Sequence, residues 1–306
     1  MIKKYNLPIY YIMLDNQDYI VNKIINIIKN NGIPRYLSNW TSTNNIKNCK
    51  SEKQFIYKLN EFVQSYHYHS SIFVNRTKFA TTISHKKMPS FYYDTKNKIG
   101  RIVYYEYFLN FNDEFEKSKQ FIHLVKMVRE TLSNWVEIGL LGLIIDLRYH
   151  KGGWFVPFVY SLYSLFHNKT LFAWSNNKVK TFDKKWISYI RNLLNYQTKQ
   201  LNNKTLNIPI AVIIGMHTYS SGEFCASIFY RNDNNIKIFG QNTGGGLSVN
   251  TTFNITDNIK LNIPTQLVTT VDGQFHIDQY LKPNKKTTKP IDDAKEWIKS
   301  YESHKS

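Results

Sequence analysis

Hydrophobic residues in the first 65 positions recur at the spacing of helix turns. One such stretch lies between Asp15, a candidate cap, and Gly32, and a second begins at a capping-box pair formed by Ser51 and Gln54. The apolar positions are Ile20, Val21, Ile24, Ile25, Ile27 and Ile28 in the first stretch and Phe55, Leu59, Phe62 and Val63 in the second. This pattern predicts a small helical N-terminal lobe over residues 1–65.

From residue 66 onward, short apolar runs alternate with amphipathic stretches. Runs at 91–94 and 99–105 flank a polar turn and predict paired strands, and continuous runs at 143–147, 210–215 and 236–239 are typical of buried strands. The other predicted elements are a strand at 71–74, helices at about 112–137, 155–166 and 292–301, a strand-plus-helix unit at about 171–202, and a hairpin over 251–263. Repeated strand–helix units predict an α/β domain over residues 66–306, with parallel strands and right-handed crossovers.

The chain of 306 residues is strongly basic, with a formal net charge of +18 from 40 Lys and Arg against 22 Asp and Glu. Such a balance can indicate a nucleic-acid or anionic-surface partner, or a lysine-rich solvated surface. The lysines are scattered, the densest cluster lies at 282–289, and no zinc-finger or RNA-stacking motif is present. We therefore expect no specific nucleic-acid partner.

The two cysteines, Cys49 and Cys225, have neither the number nor the spacing of a disulfide framework or a metal site. The apolar run at residues 7–14 is short and interrupted by Pro8, so it predicts neither a signal peptide nor a membrane span. The expected localisation is cytoplasmic or otherwise intracellular, and no cofactor is expected.

The most informative candidate chemistry lies at residues 218–223, Thr-Tyr-Ser-Ser-Gly-Glu, between a predicted strand and a predicted helix. A serine at such a junction can direct its hydroxyl into a cleft beside the backbone N–H groups of the helix start. Ser220 is thus a candidate nucleophile. The same residues also match a helix capping box, with Glu223 three positions after Ser220.

A second glycine-rich turn, Gly152-Gly153, follows the strand that ends in Asp146-Leu147-Arg148. Adjacent glycines let a backbone N–H approach a ligand closely, so either glycine could complete an oxyanion hole with the N–H of Ser221. An ordinary tight turn is the alternative interpretation. The spacing of Asp146 and Arg148 predicts an ion pair that anchors this turn.

A nucleophilic serine requires a base, and the chain offers nine histidines. His67 and His69 would share one face of an extended segment, as zinc ligands can, but no third ligand with suitable spacing stands nearby. We therefore predict no metal site. The residues alone leave open which histidine, if any, serves as the base.

Taken together, these segments resemble the tail-specific, or C-terminal processing, serine protease family over residues 66–280. The segment 142–153, GLIIDLRYHKGG, resembles the family strand that ends in D-L-R-x-N-x-G-G, with His150 in place of the usual Asn. Residues 218–223 resemble T-A-S-[AS]-[AS]-E, in which the first serine is the nucleophile. Residues 240–248, GQNTGGGLS, resemble the strand and loop that follow.

The resemblance implies a crotonase/ClpP-like ββα core with a mixed sheet. One branch of the family uses a lysine base, which is absent from the glycine turn at 244–246. The branch of the nisin resistance type, which lacks a PDZ domain, uses a histidine in a G-x-H-S segment, and His69-Ser70 matches it. That branch also implies substrate contacts by Trp154 and Phe155, and we assign Gly244 and Gly245 to substrate binding as well.

The preferred hypothesis is a serine peptidase that hydrolyses peptide bonds near the C-terminal tail of a peptide or protein. A Ser220/His69 dyad performs the reaction, and the N–H groups of Gly152, Gly153 and Ser221 supply the oxyanion hole. The alternative is a catalytically inactive peptide-binding module on the same fold. An anionic-surface binder and a thioester enzyme on a crotonase-like core are weaker alternatives, and the oligomeric state is left open.

Overall fold

The structure, a computed structural model, describes residues 16–38, 40, 46, 49–74, 87–107, 114–162, 165, 170–175, 180–183, 208–230, 233–269 and 280–303. The chain forms two compact units: unit 1 comprises Met1–Thr82 and Ser248–Leu267, and unit 2 comprises Ile83–Leu247 and Val268–Ser306. The predicted domain boundary between residues 65 and 66 stays a prediction, because a compact unit is not the same as an independent domain.

Unit 1 packs three helices with antiparallel strands. Its elements are α1 (Gln17–Asn31), α2 (Pro34–Leu37), α3 (Glu52–Tyr66), β1 (Ser71–Val74), β9 (Ser248–Asn254) and most of β10 (Ile259–Thr269). β10 lies between β1 and β9 and pairs antiparallel with both, so the predicted hairpin is confirmed. The predicted capping box also forms, because Gln54 N–H donates to Ser51 Oγ at 3.3 Å. Asp15 lies outside the described residues.

The core of unit 1 is built from the predicted apolar stripes. Ile24 and Ile28 of α1 and Phe55 and Leu59 of α3 are fully buried, and they pack with apolar side chains of β10. Tyr66 extends this packing, because its hydroxyl accepts a hydrogen bond from Ile33 N–H and donates one to Pro264 O. The end of α3, and with it the segment that carries His69, is therefore tied to the hairpin.

Unit 2 contains a six-stranded mixed sheet. Its elements are β2 (Ser90–Asp94), β3 (Ile99–Tyr107), α4 (Glu114–Glu137), β4 (Gly142–Gly153), α5 (Val156–Leu162), β5 (Thr170–Ser175), β6 (Lys180–Asp183), β7 (Ile210–Ile214), α6 (Ser221–Ser227), β8 (Ile236–Gly240), β11 (Lys285–Lys286) and α7 (Pro290–Ser303). Six of the strands of unit 2 form the mixed sheet, in the order β11-β8-β7-β4-β3-β2. All neighbouring pairs are parallel except β2 with β3, which is antiparallel. This arrangement confirms the predicted α/β class with a mixed sheet.

The two faces of this sheet carry different helices, because successive side chains of a strand point to opposite faces. On one face, Ile144 of β4 packs with Ala294 and Ile298 of α7. On the other face, the Tyr104 ring of β3 contacts Phe158 of α5 edge-on, with 4.6 Å between ring centroids. The core strands are buried on both faces, which explains their continuous apolar sequence.

The strand-plus-helix unit predicted over about residues 171–202 begins with a strand, as expected. Residues 170–175 form β5, and residues 180–183 form a second strand, β6, that pairs antiparallel with β5. Residues 184–202, where the helix of this unit is expected, lie outside the described residues.

Candidate active site

Ser220 occupies an unusual backbone conformation. It caps the N-terminus of α6 with φ 53° and ψ −122°, and its side chain makes no capping hydrogen bond. Only one other described residue besides glycine, Lys98, has a positive φ. Positive φ in a residue with a Cβ costs on the order of 1–3 kcal/mol, and such strain clusters at functional sites. A sharp, strained turn between strand and helix is how hydrolases expose a nucleophilic serine.

The turn that carries Ser220 is anchored to the end of β4. Tyr219 N–H donates to His150 O at 3.1 Å, and Thr218 Oγ1 donates to Leu147 O at 2.9 Å. Gly222 approaches the same strand so closely that a Cβ there would lie 2.0 Å from His150 O. The backbone of β4 thus fixes where Ser220 stands, and a side chain at position 222 would displace it.

Gly152 lies directly against Ser220. A Cβ at Gly152 would be 3.1 Å from Ser220 Cβ and 3.5 Å from Ser220 Oγ, and Gly152 and Gly153 both have positive φ, 126° and 101°. Both features favour glycine, since other residues rarely adopt such backbone angles. The structure therefore brings together Gly152 and Ser220, whose neighbour Ser221 begins the helix.

His150 holds the glycine turn through a hydrogen bond to its buried ring. Its ring is buried, and Nδ1 accepts a hydrogen bond from Gly152 N–H at 3.4 Å while Nε2 faces Cys225 Sγ at 3.7 Å. Burial lowers the pKa of His150 to about 4, so the imidazole is neutral at pH 7 and Nδ1 is free to accept. The motif D-L-R-x-N-x-G-G has Asn at this position, and here the ring of His150 is the side-chain hydrogen-bond acceptor instead.

Glu223 links the Ser220 turn to the glycine loop at 244–246. The carboxylate accepts hydrogen bonds from Thr243 Oγ1, from Gly245 N–H at 2.9 Å and from Gly246 N–H. It also interacts with the backbone of Ser220. Burial raises the pKa of Glu223 to about 7, although each of these hydrogen bonds lowers it. Glu223 thus plays the acidic part of the capping box, while the Ser220 hydroxyl does not cap the helix.

The four predicted substrate-binding residues all lie in unit 2. The Phe155 ring stacks on Phe224 of α6, with 5.6 Å between centroids, and Trp154 packs against Phe121 of α4 at 5.5 Å. A Cβ at Gly244 would lie 2.8 Å from the Tyr219 ring. Gly245 is committed to Glu223. Gly244 therefore lies against the turn that carries Ser220, and Phe155 lies against the helix that follows it.

His69 lies in unit 1, immediately before β1. Burial lowers its pKa, and its Nδ1 is 3.3 Å from Ser248 Oγ at the start of β9. Asn250 completes this cluster, because it accepts from Ser248 Oγ at 3.2 Å and donates to His69 O at 3.1 Å. His69 is therefore held through both its ring and its backbone carbonyl.

Sequence reasoning found no partner that would orient His69. Ser248 is the last residue of the segment 240–248, which the sequence analysis noted for its glycines. The hydroxyl of Ser248 at the start of a strand was the one feature that could have indicated a partner for His69. The pairing itself joins residues 179 positions apart and follows only from the hairpin's register beside β1.

The model of one protein family matches this chain: residues 110–287 match the family described as Peptidase family S41. The matched residues contain the Ser220 turn, Gly152-Gly153 and the glycine loop.

The chain belongs to peptidase family S41.

Two similar proteins are consistent with this assignment. A nisin-resistance protein from Lactococcus lactis subsp. lactis is 32% identical over 163 residues, which cover 52% of this chain and 50% of that protein. The matched region thus spans about half the length of this curated relative. A solved structure of a lipoprotein from Streptococcus agalactiae is 23% identical and superposes with a TM-score of 0.72, covering 98% of this chain and 100% of that one. It supports the fold.

Membership of family S41 places residues 110–287 in a family of peptidases. Within the described residues, no group of three or more His, Cys, Asp or Glu side chains is arranged to hold a metal ion. No helix in the described part of the chain is both long and apolar enough to cross a bilayer. The intracellular localisation stays a prediction.

Proposed function

We propose that this S41 peptidase cleaves peptide bonds near the C-terminal tail of its substrate through a Ser220/His69 dyad. The observation that carries the proposal is the backbone of Ser220, held at positive φ against Gly152 at the end of a parallel strand. No capping role explains this conformation, because the hydroxyl does not cap α6. A hydroxyl presented in this way is available to attack a carbonyl carbon.

His69 is the proposed general base. Its lowered pKa keeps the imidazole neutral at pH 7. Because Ser248 Oγ donates to Asn250 Oδ1, we assign the imidazole proton to Nδ1 and the role of proton acceptor to Nε2. Nε2 accepts the Ser220 proton as Oγ attacks, and then returns a proton to the leaving amine. Ser248 replaces the acid of a triad as a positioning residue, so we describe the pair as a dyad.

The oxyanion of the tetrahedral intermediate is assigned to backbone N–H groups. Ser221 is the first residue of α6, and the first N–H groups of a helix have no acceptor within the helix. Gly153 supplies the second donor across the turn, because Gly152 N–H already donates to His150 Nδ1 at 3.4 Å. Each such donor contributes about 10²–10³ in rate, since it is positioned before charge develops.

The proposed substrate class is broad and comprises peptides and proteins. The related protein named for nisin resistance makes a short peptide a reasonable substrate class, and Trp154, Phe155 and Gly244 offer an apolar surface beside the turn. A preference for the C-terminal tail comes from the family resemblance. Cleavage of one peptide prepared with a free and with an amidated C-terminus, followed by mass spectrometry, tests it: equal rates contradict tail recognition.

A fluorophosphonate probe tests the nucleophile without a known substrate. We expect covalent labelling of the wild-type chain at Ser220 and none in Ser220→Ala, whereas Ser300→Ala, an exposed helix serine, labels normally. Labelling of Ser220→Ala at the wild-type rate would exclude Ser220. Peptide binding by a wild-type chain that the probe does not label would favour the inactive module.

The base is tested by a matched pair of histidine variants. His69→Ala should slow probe labelling by about 10²–10⁴, the usual contribution of general base catalysis. His123→Ala removes an exposed imidazole from α4 and should leave the rate unchanged. If both variants label as fast as the wild type, the dyad is wrong even though Ser220 remains the nucleophile.

A further inference from the structure

A groove runs along the face of the unit 2 sheet that packs against α7. Residues paired across adjacent strands form the floor of this groove: Tyr92 of β2 pairs with Arg101 of β3, and Tyr105 of β3 pairs with Tyr149 of β4. Two adjoining cavities of about 480 Å³ and 330 Å³ lie here, and both are lined by Tyr92, Arg101 and Ile291. We call this the cation–aromatic groove, defined by Lys87, Tyr92, Arg101, Tyr105, Arg148 and Tyr149.

The two carboxylates that line these cavities are already paired. Asp146 accepts a bidentate hydrogen bond from Arg148, at 2.9 Å to Nε and 2.7 Å to Nη2, which confirms the predicted ion pair. Asp94 accepts from Lys295 Nζ at 2.7 Å. Neither carboxylate therefore neutralises the other cations of the groove.

Two cations of the groove rest on aromatic rings instead. Arg101 lies over Tyr92 with 4.3 Å from Cζ to the ring centroid, and Lys87 Nζ lies 4.0 Å from the centroid of Tyr105. Arg101 Nε is buried and has no hydrogen-bond partner within the described part of the chain. Cation–π contacts orient a cation without using its N–H donors, so these donors remain for a ligand.

The groove lies close to the candidate active site. Tyr149 lies on the strand that ends in Gly153, three residues before Gly152, which corresponds to about 10 Å of extended chain. Arg148 Cγ is 3.6 Å from where a Cβ of Gly215 would stand, at the start of the loop that leads to Ser220. A peptide bound at Ser220 can therefore reach the near end of the groove, at Tyr149, with three or four residues, and it can reach Arg101, which pairs with Ile144, with about eight.

We propose that the cation–aromatic groove is a subsite for the side-chain carboxylate of an acidic residue in a peptide substrate. The proposal rests on the peptidase function proposed above. The planar guanidinium of Arg101 matches a carboxylate in shape, Lys87 adds a second positive charge, and the rings of Tyr92 and Tyr105 orient these two cations. The excess of basic residues in the chain favours the approach of such peptides.

Binding to the Ser220→Ala protein tests the groove without turnover. Isothermal titration in 150 mM NaCl should show that N-acetylated, C-amidated tetraglutamate binds at least tenfold more tightly than tetraglutamine blocked in the same way. The double variant Lys87→Gln/Arg101→Gln should weaken tetraglutamate binding at least tenfold. The control Lys126→Gln/Lys299→Gln removes the same charge from exposed helix positions and should change it less than twofold.

Several outcomes would overturn the proposal. Equal losses in the two double variants would mean that only net charge attracts the peptide, and equal affinity for both peptides would remove the carboxylate. Tetraglutamine with a free C-terminus that binds as tightly as amidated tetraglutamate would reassign the groove to the chain terminus. An eight-nucleotide oligothymidine that binds through Arg101 when tetraglutamate does not would reassign it to nucleic acid.

Two controls keep these results interpretable. If the double variant fails to fold, as judged by circular dichroism, Lys87→Gln alone decides, because Lys87 precedes β2 and lies outside the sheet. It should weaken tetraglutamate binding at least threefold, and an unchanged affinity overturns the proposal. Because the measurement uses binding and not turnover, it can fail while fluorophosphonate labels Ser220, and it can succeed when labelling fails.

Discussion

The proposed nucleophile and the proposed base are held in place by different means. Ser220 is positioned by backbone: a positive φ, hydrogen bonds from its turn to β4, and glycines at 152 and 222 that permit close approach. His69 is positioned by side chains, with Ser248 at its ring and Asn250 at its carbonyl. Unit 2 supplies the first and unit 1 the second.

This difference predicts how each partner responds to substitution. A backbone-held turn leaves no room for an added Cβ, so a single methyl group should have a large effect. A side-chain hydrogen bond contributes about 0.5–1.5 kcal/mol, so removing one should have a graded effect that a similar side chain restores. The predictions below test this contrast in order of decreasing effect.

Gly152→Ala should lower the rate of fluorophosphonate labelling by about 10²–10³, because the added Cβ meets Ser220 and shifts the turn that carries the proposed oxyanion donor of Gly153. Gly139→Ala is the matched control: Gly139 also has a positive φ, 87°, but its nearest neighbours are atoms of Lys98, at 3.5 Å and beyond. Gly139→Ala should therefore introduce backbone strain without a contact to Ser220, and Ser220 should be labelled at the wild-type rate. Similar losses in both variants would show that strain, and not contact with Ser220, causes the effect.

Glu223 should make stability depend on pH. Burial raises its pKa in the folded chain to about 7 from 4.5, so folding favours the protonated carboxyl. Its contribution to stability is therefore complete below pH 4.5 and is lost as the pH rises through 7. Relative to Glu223→Gln, which does not titrate there, the wild type should lose about 3 kcal/mol of unfolding free energy between pH 4 and pH 8.

Urea unfolding of both proteins across this pH range measures the effect. Glu130→Gln removes an exposed carboxylate of α4 and should give the wild-type pH dependence. Parallel curves for the wild type and Glu223→Gln would show that the hydrogen bonds from Thr243, Gly245 and Gly246 fully compensate the burial.

Ser248→Ala should slow labelling of Ser220 by about tenfold, because His69 loses the partner of its Nδ1. Ser248→Thr keeps the hydroxyl on a β-strand residue and should restore most of the rate. The pH profile adds an independent readout: the acid limb of the wild-type rate should lie below pH 6.5, since burial lowers the pKa of His69. A limb at or above 6.5, or no rescue by Thr, would contradict the assignment.

The sequence was sufficient to predict most of the elements. Continuous apolar runs gave the parallel strands β4, β7 and β8, and helical periodicity gave α1, α3 and α4 within a few residues of their bounds. It did not predict β6 as a separate strand, because a four-residue segment whose one apolar side chain is Phe182 shows no period. The local sequence pattern of a segment indicates its hydrophobic period and whether it is buried, because both depend on residues that are close together in the chain.

The candidate site was predicted only in part, for a physical reason. Its nucleophile and glycines follow from spacing and from the family resemblance, and the capping box correctly drew attention to Glu223. That Ser220 adopts a positive φ, that Glu223 bridges to the loop 22 residues away, and that a buried His150 holds the Gly152 turn could not be read from spacing.

What the sequence by itself determined is the order of strands and helices, the α/β class, and the residues able to perform serine chemistry. What only the tertiary structure decided is which of these groups are buried, paired or left without a partner. Ser248 faces His69 across 179 positions because β9 and β1 both pair with β10. Such contacts, and the pKa shifts that burial causes, arise from packing between distant segments, which no local pattern encodes.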